Sequence, residues 1–419
     1  MMRILKIFAL LILLSSCEKS FDEDTYFLKI YGDALEDFGY SVARSGEEYY
    51  IAGQFTEIVR STANVIDVEK ASKKMAVIKT DNDGNVIWKK SFGGRLTAAG
   101  SKVLALEDGS VVATGFVVDS ITKQKDIFVV KISSDGASAV QKIFNSTGTS
   151  ESGNSEDGNQ TGIDIIRSSD GFMLLASTDV ARLLPTDSTG NIKGNSDIYL
   201  LRLDTDLQPL SGPVVFGYLG NDAGAAIKEA IDGGYIIAGT TSRSEPGQSG
   251  NNILLMKVRN DGIATQVRIL GTSVDEYAAD IEVLDDGYLI AGTVGADGSD
   301  QQVYVTKVPE SIQGDQLFTR TFRLTTSSSA SSFAVRAISR YKNNYFVMAG
   351  QAGTGASAKM LVFVADPEGN HVPGKELITT SSGTQVAYDV ITDEDDNIVA
   401  VGKNTFENNS MISFYKFRF

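Results

Sequence analysis

Seven acidic residues stand just ahead of short apolar stretches: Glu36, Asp37, Glu156, Asp157, Asp222, Asp275 and Glu276. Converging carboxylates could bind a cation, a basic peptide or a sugar. Two of them at a defined separation could cleave a glycoside. The competing reading is a solvated face on an acidic protein. Sequence supplies no separation with which to choose, and whether a metal binds stays open. Other chemistries are poorly provided for. His371 is the one histidine, between Asn370 and Val372 in an expected turn. A multi-His metal site or a Ser-His-Asp triad is therefore not expected.

No cofactor is expected either. Gly350 to Gly355 do not fit a strand-to-helix phosphate loop. Asp81-Asn82-Asp83-Gly84-Asn85 has the outline of a calcium loop but lacks the spaced acids and distal Glu of an EF-hand. A blade turn is the reading preferred for it. The formal net charge of −15 argues against nucleic acid as a partner.

The N-terminus reads as a targeting segment. Arg3 and Lys6 precede an apolar run, Ile7 to Leu14, that is too short to span a bilayer. Leu14-Ser15-Ser16-Cys17 follows, and it resembles the lipobox of bacterial lipoproteins. Cys17 is the only cysteine of the chain. The resemblance implies cleavage after residue 16 and a lipid anchor on Cys17, hence a membrane association. Residues 17–25 then form an acidic tether that is similar to surface-export tags of Gram-negative bacteria. With one cysteine, no intramolecular disulfide supports the fold.

The elements that position the acids come from a repeat. An apolar burst ending in Ala-Gly recurs, as in Tyr235-Ile236-Ile237-Ala238-Gly239 and Tyr288-Leu289-Ile290-Ala291-Gly292. The bursts end at 53, 115, 177, 239, 292, 350 and 402, with Ser177 in place of Gly in the third. A period this long means several strands per unit. One strand precedes each burst, joined to it by a tight turn such as Asp108-Gly109 or Asp286-Gly287. The burst is the second strand, and its closing Gly is expected to let the chain leave the sheet. A third strand, such as Ile253-Leu254-Leu255-Met256-Lys257, is apolar on both faces and ends on Lys or Arg in six of seven copies. A fourth follows, such as Val86 to Phe92.

The seventh unit stops after its third strand, at Phe419. Residues 27–32, Phe-Leu-Lys-Ile-Tyr-Gly, match the fourth-strand pattern. The chain therefore opens with the strand its end lacks, which closes a ring and removes exposed edges. This resembles a β-propeller: all-β, seven four-stranded antiparallel blades, one domain over residues 26–419. The units are similar to Asp-Gly-Gly-Tyr-Ile-Ile-Ala-Gly-Thr repeats of exported bacterial proteins, mostly of unknown function.

Propeller connectivity sends the first-to-second and third-to-fourth turns to one face. The second-to-third loops and the blade crossings lie on the other. Two loops there are long, Gln54 to Lys74 and Thr178 to Ser196. The seven acids belong to those crossings and are expected around the channel mouth. The expected function is a non-enzymatic binding or scaffold lipoprotein of the outer membrane, facing the cell exterior. It would take a protein partner or a glycan on the long-loop face, in an accessory role in an uptake or secretion complex. A carbohydrate-active enzyme using acids at the mouth, and a periplasm-facing assembly factor, are the alternatives.

Overall fold

Runs of mostly five to nine residues rich in Val, Ile, Tyr and Phe, many bounded by Asp-Gly and Asn-rich turns, form the strands. A computed structural model describes residues 27–32, 35–60, 66–94, 96–145, 158–180, 196–218, 220–296, 300–324, 330–407 and 409–419. Their strands make seven four-stranded antiparallel sheets. Six sheets run in chain order from an inner to an outer strand. The seventh takes its inner three strands from Gln385–Thr392, Ile398–Phe406 and Asn409–Phe417, and its outer strand from Phe27–Tyr31. The register runs from Phe27 opposite Lys416 to Tyr31 opposite Ile412. The fold is a closed seven-bladed β-propeller, as the strand count predicts.

The core lies between blades, because each blade is apolar on both faces and needs a neighbour on each. Where blade seven meets blade one, Val42, Tyr49, Ile51 and Ile78 pack on Val401, Ile412 and Phe414, with Phe27 and Tyr31 closing the outer side. The Phe414 ring centroid is 5.9 Å from Phe27 and 5.4 Å from Tyr49. The N-terminal strand thus contributes buried apolar area as well as a ladder.

The cations that end the third strands have a definite partner. Five of the six reach the first-to-second turn of their own blade: Lys79 to Glu48 at 2.7 Å, Arg202 to Asp170 at 2.7 Å, Lys257 to Asp232 at 2.5 Å, Lys307 to Asp286 at 2.8 Å and Lys416 to Asp393 at 3.3 Å, while Lys131 donates to the Thr205 carbonyl of the next blade at 2.8 Å. The aliphatic stem lies along the sheet and the charge emerges at the turn face.

Three expectations need correction. First, most of the long loop expected from Gln54 to Lys74 is strand, with residues 61–65 outside the described residues. The second and third strands of blade one, Glu48–Arg60 and Ile66–Thr80, continue pairing beyond the sheet, from Phe55 opposite Lys74 to Arg60 opposite Ile66. The described parts, residues 54–60 and 66–74, carry Thr, Ile and Val and neither Gly nor Pro, so they keep the extended backbone. Of the other long loop, residues 181–195 lie outside the described residues. Second, His371 opens the outer strand of blade six, His371–Ile378, rather than sitting in a turn.

Third, the signature glycine does not release the chain, because the second strand runs on past it, to Thr241 in blade four. It faces an irregularity instead. Every inner strand carries a β-bulge opposite it, between Gly39 and Ser41 in blade one and at the matching place in the other six. The inner-strand carbonyl just before the bulge presses on the glycine. A Cβ on Gly53 would stand 1.8 Å from the Phe38 oxygen, one on Gly350 1.9 Å from the Ala334 oxygen, and one on Gly402 1.8 Å from the Val386 oxygen. Register also moves the third copy by one residue: Ala176, not Ser177, pairs with Gly162 at this place.

Candidate functional site

The bulges decide what faces the channel. A bulge places two residues opposite one and re-aims a side chain. The extra residues, in blade order, are Tyr40, Ser101, Ile163, Ala225, Ala279, Arg336 and Tyr388. Each lies 13 or 14 residues ahead of the glycine, or Ala176, that it accompanies. That offset is the signal that could have found them in the sequence. They form a ring just inside the face that carries the blade crossings.

The ring is lopsided. Blades six, seven and one carry Arg336, Tyr388 and Tyr40, and blades four and five carry only Ala225 and Ala279. The Tyr40 and Tyr388 ring centroids are 5.0 Å apart. The Arg336 guanidinium lies over the Tyr388 ring at 5.3 Å and donates to Gln351 Oε1 at 3.1 Å. Lys403 lies over Phe38, itself packed on Tyr40. Burial and Arg336 hold Lys403 below the ordinary lysine range, with Glu36 working against them.

Where the ring residues are small a cavity opens. It has a volume of about 420 Å³, with Ala225 and Ala279 on one side and Tyr277, Arg336, Gln351 and Thr354 among its other walls. The Tyr277 hydroxyl accepts a hydrogen bond from Asn251 Nδ2 at 3.0 Å, which leaves its own proton for a ligand.

One residue deeper lies a second ring: Ser41, Lys102, Asp164, Ala226, Asp280, Ala337 and Asp389. Its carboxylates join blades. Asp164 accepts from Ile227 N at 3.0 Å, Asp280 from Ile338 N at 3.1 Å and Asp389 from Val42 N at 3.0 Å. Lys102 Nζ is 3.4 Å from Asp389 Oδ2, and its side chain keeps 29% exposure to the channel. Burial opposes its charge, but Asp389, Asp164 and Asp280 together hold it above the usual lysine value. Burial pushes Glu282, deeper in the channel, up to about 7 against the pull of Lys228.

The seven crossing acids are placed differently from one another. Asp37, Asp222 and Glu276 are 1%, 0% and 0% exposed. Asp37 Oδ1 accepts from Thr56 N at 2.7 Å, Asp222 from Tyr218 N, and Glu276 from the backbone and hydroxyl of Thr272. These three side chains therefore fold onto the crossings they belong to. Asp275 is half-buried and accepts from Asn251 N at 2.7 Å. Glu36 is exposed and pairs with Lys73. Glu156 and Asp157 lie outside the described residues. Among the described residues no three His, Cys, Asp or Glu side chains gather as metal ligands.

The remaining sequence candidates are structural. Asp81 Oδ1 accepts from the backbone of Asp83 and Asn85, an Asx turn. His371 Nε2 lies 3.1 Å from Glu376 and its ring packs on Phe363 and Phe322.

No protein-family profile and no characterised protein matches the sequence. Solved structures match in shape. Raptor of Chaetomium thermophilum superposes with a TM-score of 0.53 at 9% identity, over 95% of this chain and 30% of its own. An α-L-arabinofuranosidase of Fusarium graminearum superposes with a TM-score of 0.50 at 11% identity, over 94% of this chain and 97% of its own. At such identities the likeness is one of fold, and a fold of this kind hosts many activities.

Proposed function

We propose that this protein is a non-enzymatic binding propeller, lipid-anchored through Cys17 to the outer membrane and facing the cell exterior, that takes its ligand in the channel-mouth cavity. The single observation behind the site is Arg336, exposed at the cavity wall and braced by Tyr388 and Gln351. Its side chain is held in place, and its charge has no carboxylate within ion-pair distance among the described residues. A preorganised, unneutralised cation in a cleft is a binding group.

Binding rather than hydrolysis is supported by where the acids are. Glycoside cleavage needs two carboxylates on either side of one bond. Asp37, Asp222 and Glu276 are occupied by backbone donors away from solvent, and no described residue lining the cavity is acidic.

The strand that follows the proposed anchor starts on the face opposite the mouth. The N-terminal strand starts beside Lys416, whose ammonium meets Asp393 and Asn82 at the turn face. Nine residues lie between Cys17 and Phe27, and the ten residue steps reach at most about 36 Å. This placement supports an orientation with the turn face toward the bilayer and the mouth away from it. Signal cleavage after residue 16 and a tether over 17–25 complete this arrangement.

The test has two arms. Cys17→Ala should move the protein from the membrane fraction to the soluble one, and protease added to whole cells should digest the wild type. Full-length mature protein on a polysaccharide panel should retain ligand without releasing product, and Ala279→Tyr should abolish retention. Tyr40 and Tyr388 occupy the equivalent place in other blades, so this variant should fold. Turnover lost in Ala279→Tyr, or retention indifferent to it, would overturn the reading.

A further inference from the structure

We infer that the ligand of the channel-mouth cavity is an acidic sugar, a saccharide bearing a carboxylate or a sulfate ester that Arg336 reads. This inference rests on the binding reading above and narrows it to a ligand class.

The charge distribution comes first. The protein carries 53 acidic residues and a net charge of −15, yet no described residue lining this cavity is acidic. The nearest acid in sequence to its Ala279 side, Asp280, is turned away, with its oxygens on Ile281 N at 2.8 Å and Ile338 N at 3.1 Å. Against a negative surface this is a local positive site, and low-dielectric walls strengthen it. A neutral ligand would gain nothing from that arrangement.

The geometry of Arg336 selects the type of anion. The guanidinium carbon lies 5.3 Å from the Tyr388 ring centroid and Nη2 donates to Gln351, and the two contacts hold the group in place. Its other N–H donors make no hydrogen bond to a described side chain. A planar guanidinium with free donors fits a carboxylate or a sulfate through paired hydrogen bonds, which a lysine cannot reproduce.

The remaining walls select for hydroxyl groups. Tyr277, Gln301, Gln351 and Thr354 supply both donors and acceptors, while the apolar contribution is mostly alanine. A large hydrophobic acid would leave those polar groups without partners. A cavity of about 420 Å³ is within the range of small-molecule sites and too large for a bare ion.

Calorimetric titration of the full mature protein tests this. The probes are trigalacturonate, its methyl ester, a sulfated disaccharide, sodium acetate and sodium sulfate. Trigalacturonate or the sulfated disaccharide should bind, and which of them binds tells carboxylate from sulfate. The methyl ester keeps the rings and hydroxyls without the charge and should bind at least tenfold more weakly. The simple salts should bind at least a hundredfold more weakly. Arg336→Gln should weaken the acidic sugar at least tenfold, and Arg336→Lys should recover only part of that loss. Arg336 is exposed, so both variants should keep the wild-type melting curve. Equal binding of the methyl ester, an Arg336→Gln variant with wild-type affinity, salts as tight as sugars, or no binding by either acidic sugar would each overturn the inference. The two readings separate: a neutral glycan that binds wild type and is lost in Ala279→Tyr overturns the acidic-sugar class and leaves the cavity as the binding site.

Discussion

The carboxyl groups of Asp197 and Asp222 meet at the crossing from blade three to blade four with no donor between them. Both side chains are fully buried, and both oxygens of Asp197 and Oδ1 of Asp222 have no hydrogen-bond partner among the described residues. Two such groups in reach of one another do not both ionise. Burial first, and then Asp222, push Asp197 up to about 7 from 3.8. Tyr218, Arg243 and Glu245 stand around the same crossing. In blade four the matching residue is Asn252, and a Cβ on Gly271 would meet its Oδ1 at 1.8 Å, as one on Gly217 would meet Asp197 Oδ1 at 1.9 Å.

A folded-state value above the unfolded one means that the native protein holds a proton the unfolded chain has released. The stabilisation is therefore complete below pH ~4 and is lost as pH rises through ~7, with an upper bound of roughly 4 kcal/mol. Glu282 adds a change of the same sign. The measurement is thus a difference: urea midpoints of wild type and Asp197→Asn from pH 5 to 8. The variant should lose much of the downward slope and be the more stable protein at pH 8. Parallel slopes would contradict a proton held on Asp197.

In six blades a glycine faces the bulge, with Ala176 at that place in blade three, and the bulge re-aims the side chains of the candidate site. A Cβ on Gly350 would stand 1.9 Å from the Ala334 oxygen, so Gly350→Ala would force that carbonyl back and disturb the turnout of Arg336. We expect a loss of about 1–3 kcal/mol in denaturant unfolding together with weaker ligand retention. Gly212→Ala is the control, since its Cβ would meet nothing within 4 Å. It should shift stability by less than about 0.5 kcal/mol.

The scaffold was legible because it is repeated. Seven bursts, their Asp-Gly turns and the unmatched opening strand were enough for blade number and closure, since period and strand count do not depend on side-chain direction. The site was less legible for the opposite reason. Tyr40, Arg336 and Tyr388 look like ordinary inner-strand residues, and only the register slip at each bulge turns them to the mouth. The crossing acids showed the converse. Asp37 and Asp222 have the sequence of a solvent-facing cluster, but the tight crossings offer backbone N–H groups that need acceptors, and these carboxylates supply them.

Asp389 joins the last blade to the first. It accepts from Ser41 Oγ at 2.8 Å, Val42 N at 3.0 Å and Val390 N at 2.9 Å, and it stands 3.4 Å from Lys102 Nζ. Asp389→Ala would leave buried donors without an acceptor and Lys102 without its nearest countercharge, at a cost of roughly 2–4 kcal/mol. Asp389→Asn keeps one acceptor oxygen and should fall between. Guanidinium unfolding at pH 7 measures both, and a wild-type midpoint for Asp389→Ala would show that the seam does not depend on this residue.

The N-terminal strand completes the same seam from outside. Phe27 packs on Phe414, and the Tyr31 hydroxyl donates to the Gly84 carbonyl of the blade-one turn at 2.7 Å. It therefore ties the outer edge of blade seven to its neighbour as well as covering the Asn409–Phe417 edge. Phe27→Ala should cost about 2–4 kcal/mol, toward the lower end because the site is half-buried. Tyr31→Phe removes only the hydrogen bond and should cost about 1 kcal/mol. A chain beginning at residue 32 bares the ladder of Asn409–Phe417 to other molecules. In size-exclusion chromatography it should elute as dimers or larger species, and adding a synthetic peptide of residues 26–32 should return it to monomer. A truncated chain that stays monomeric with the wild-type melting temperature would mean that closure rests on the inner three strands alone.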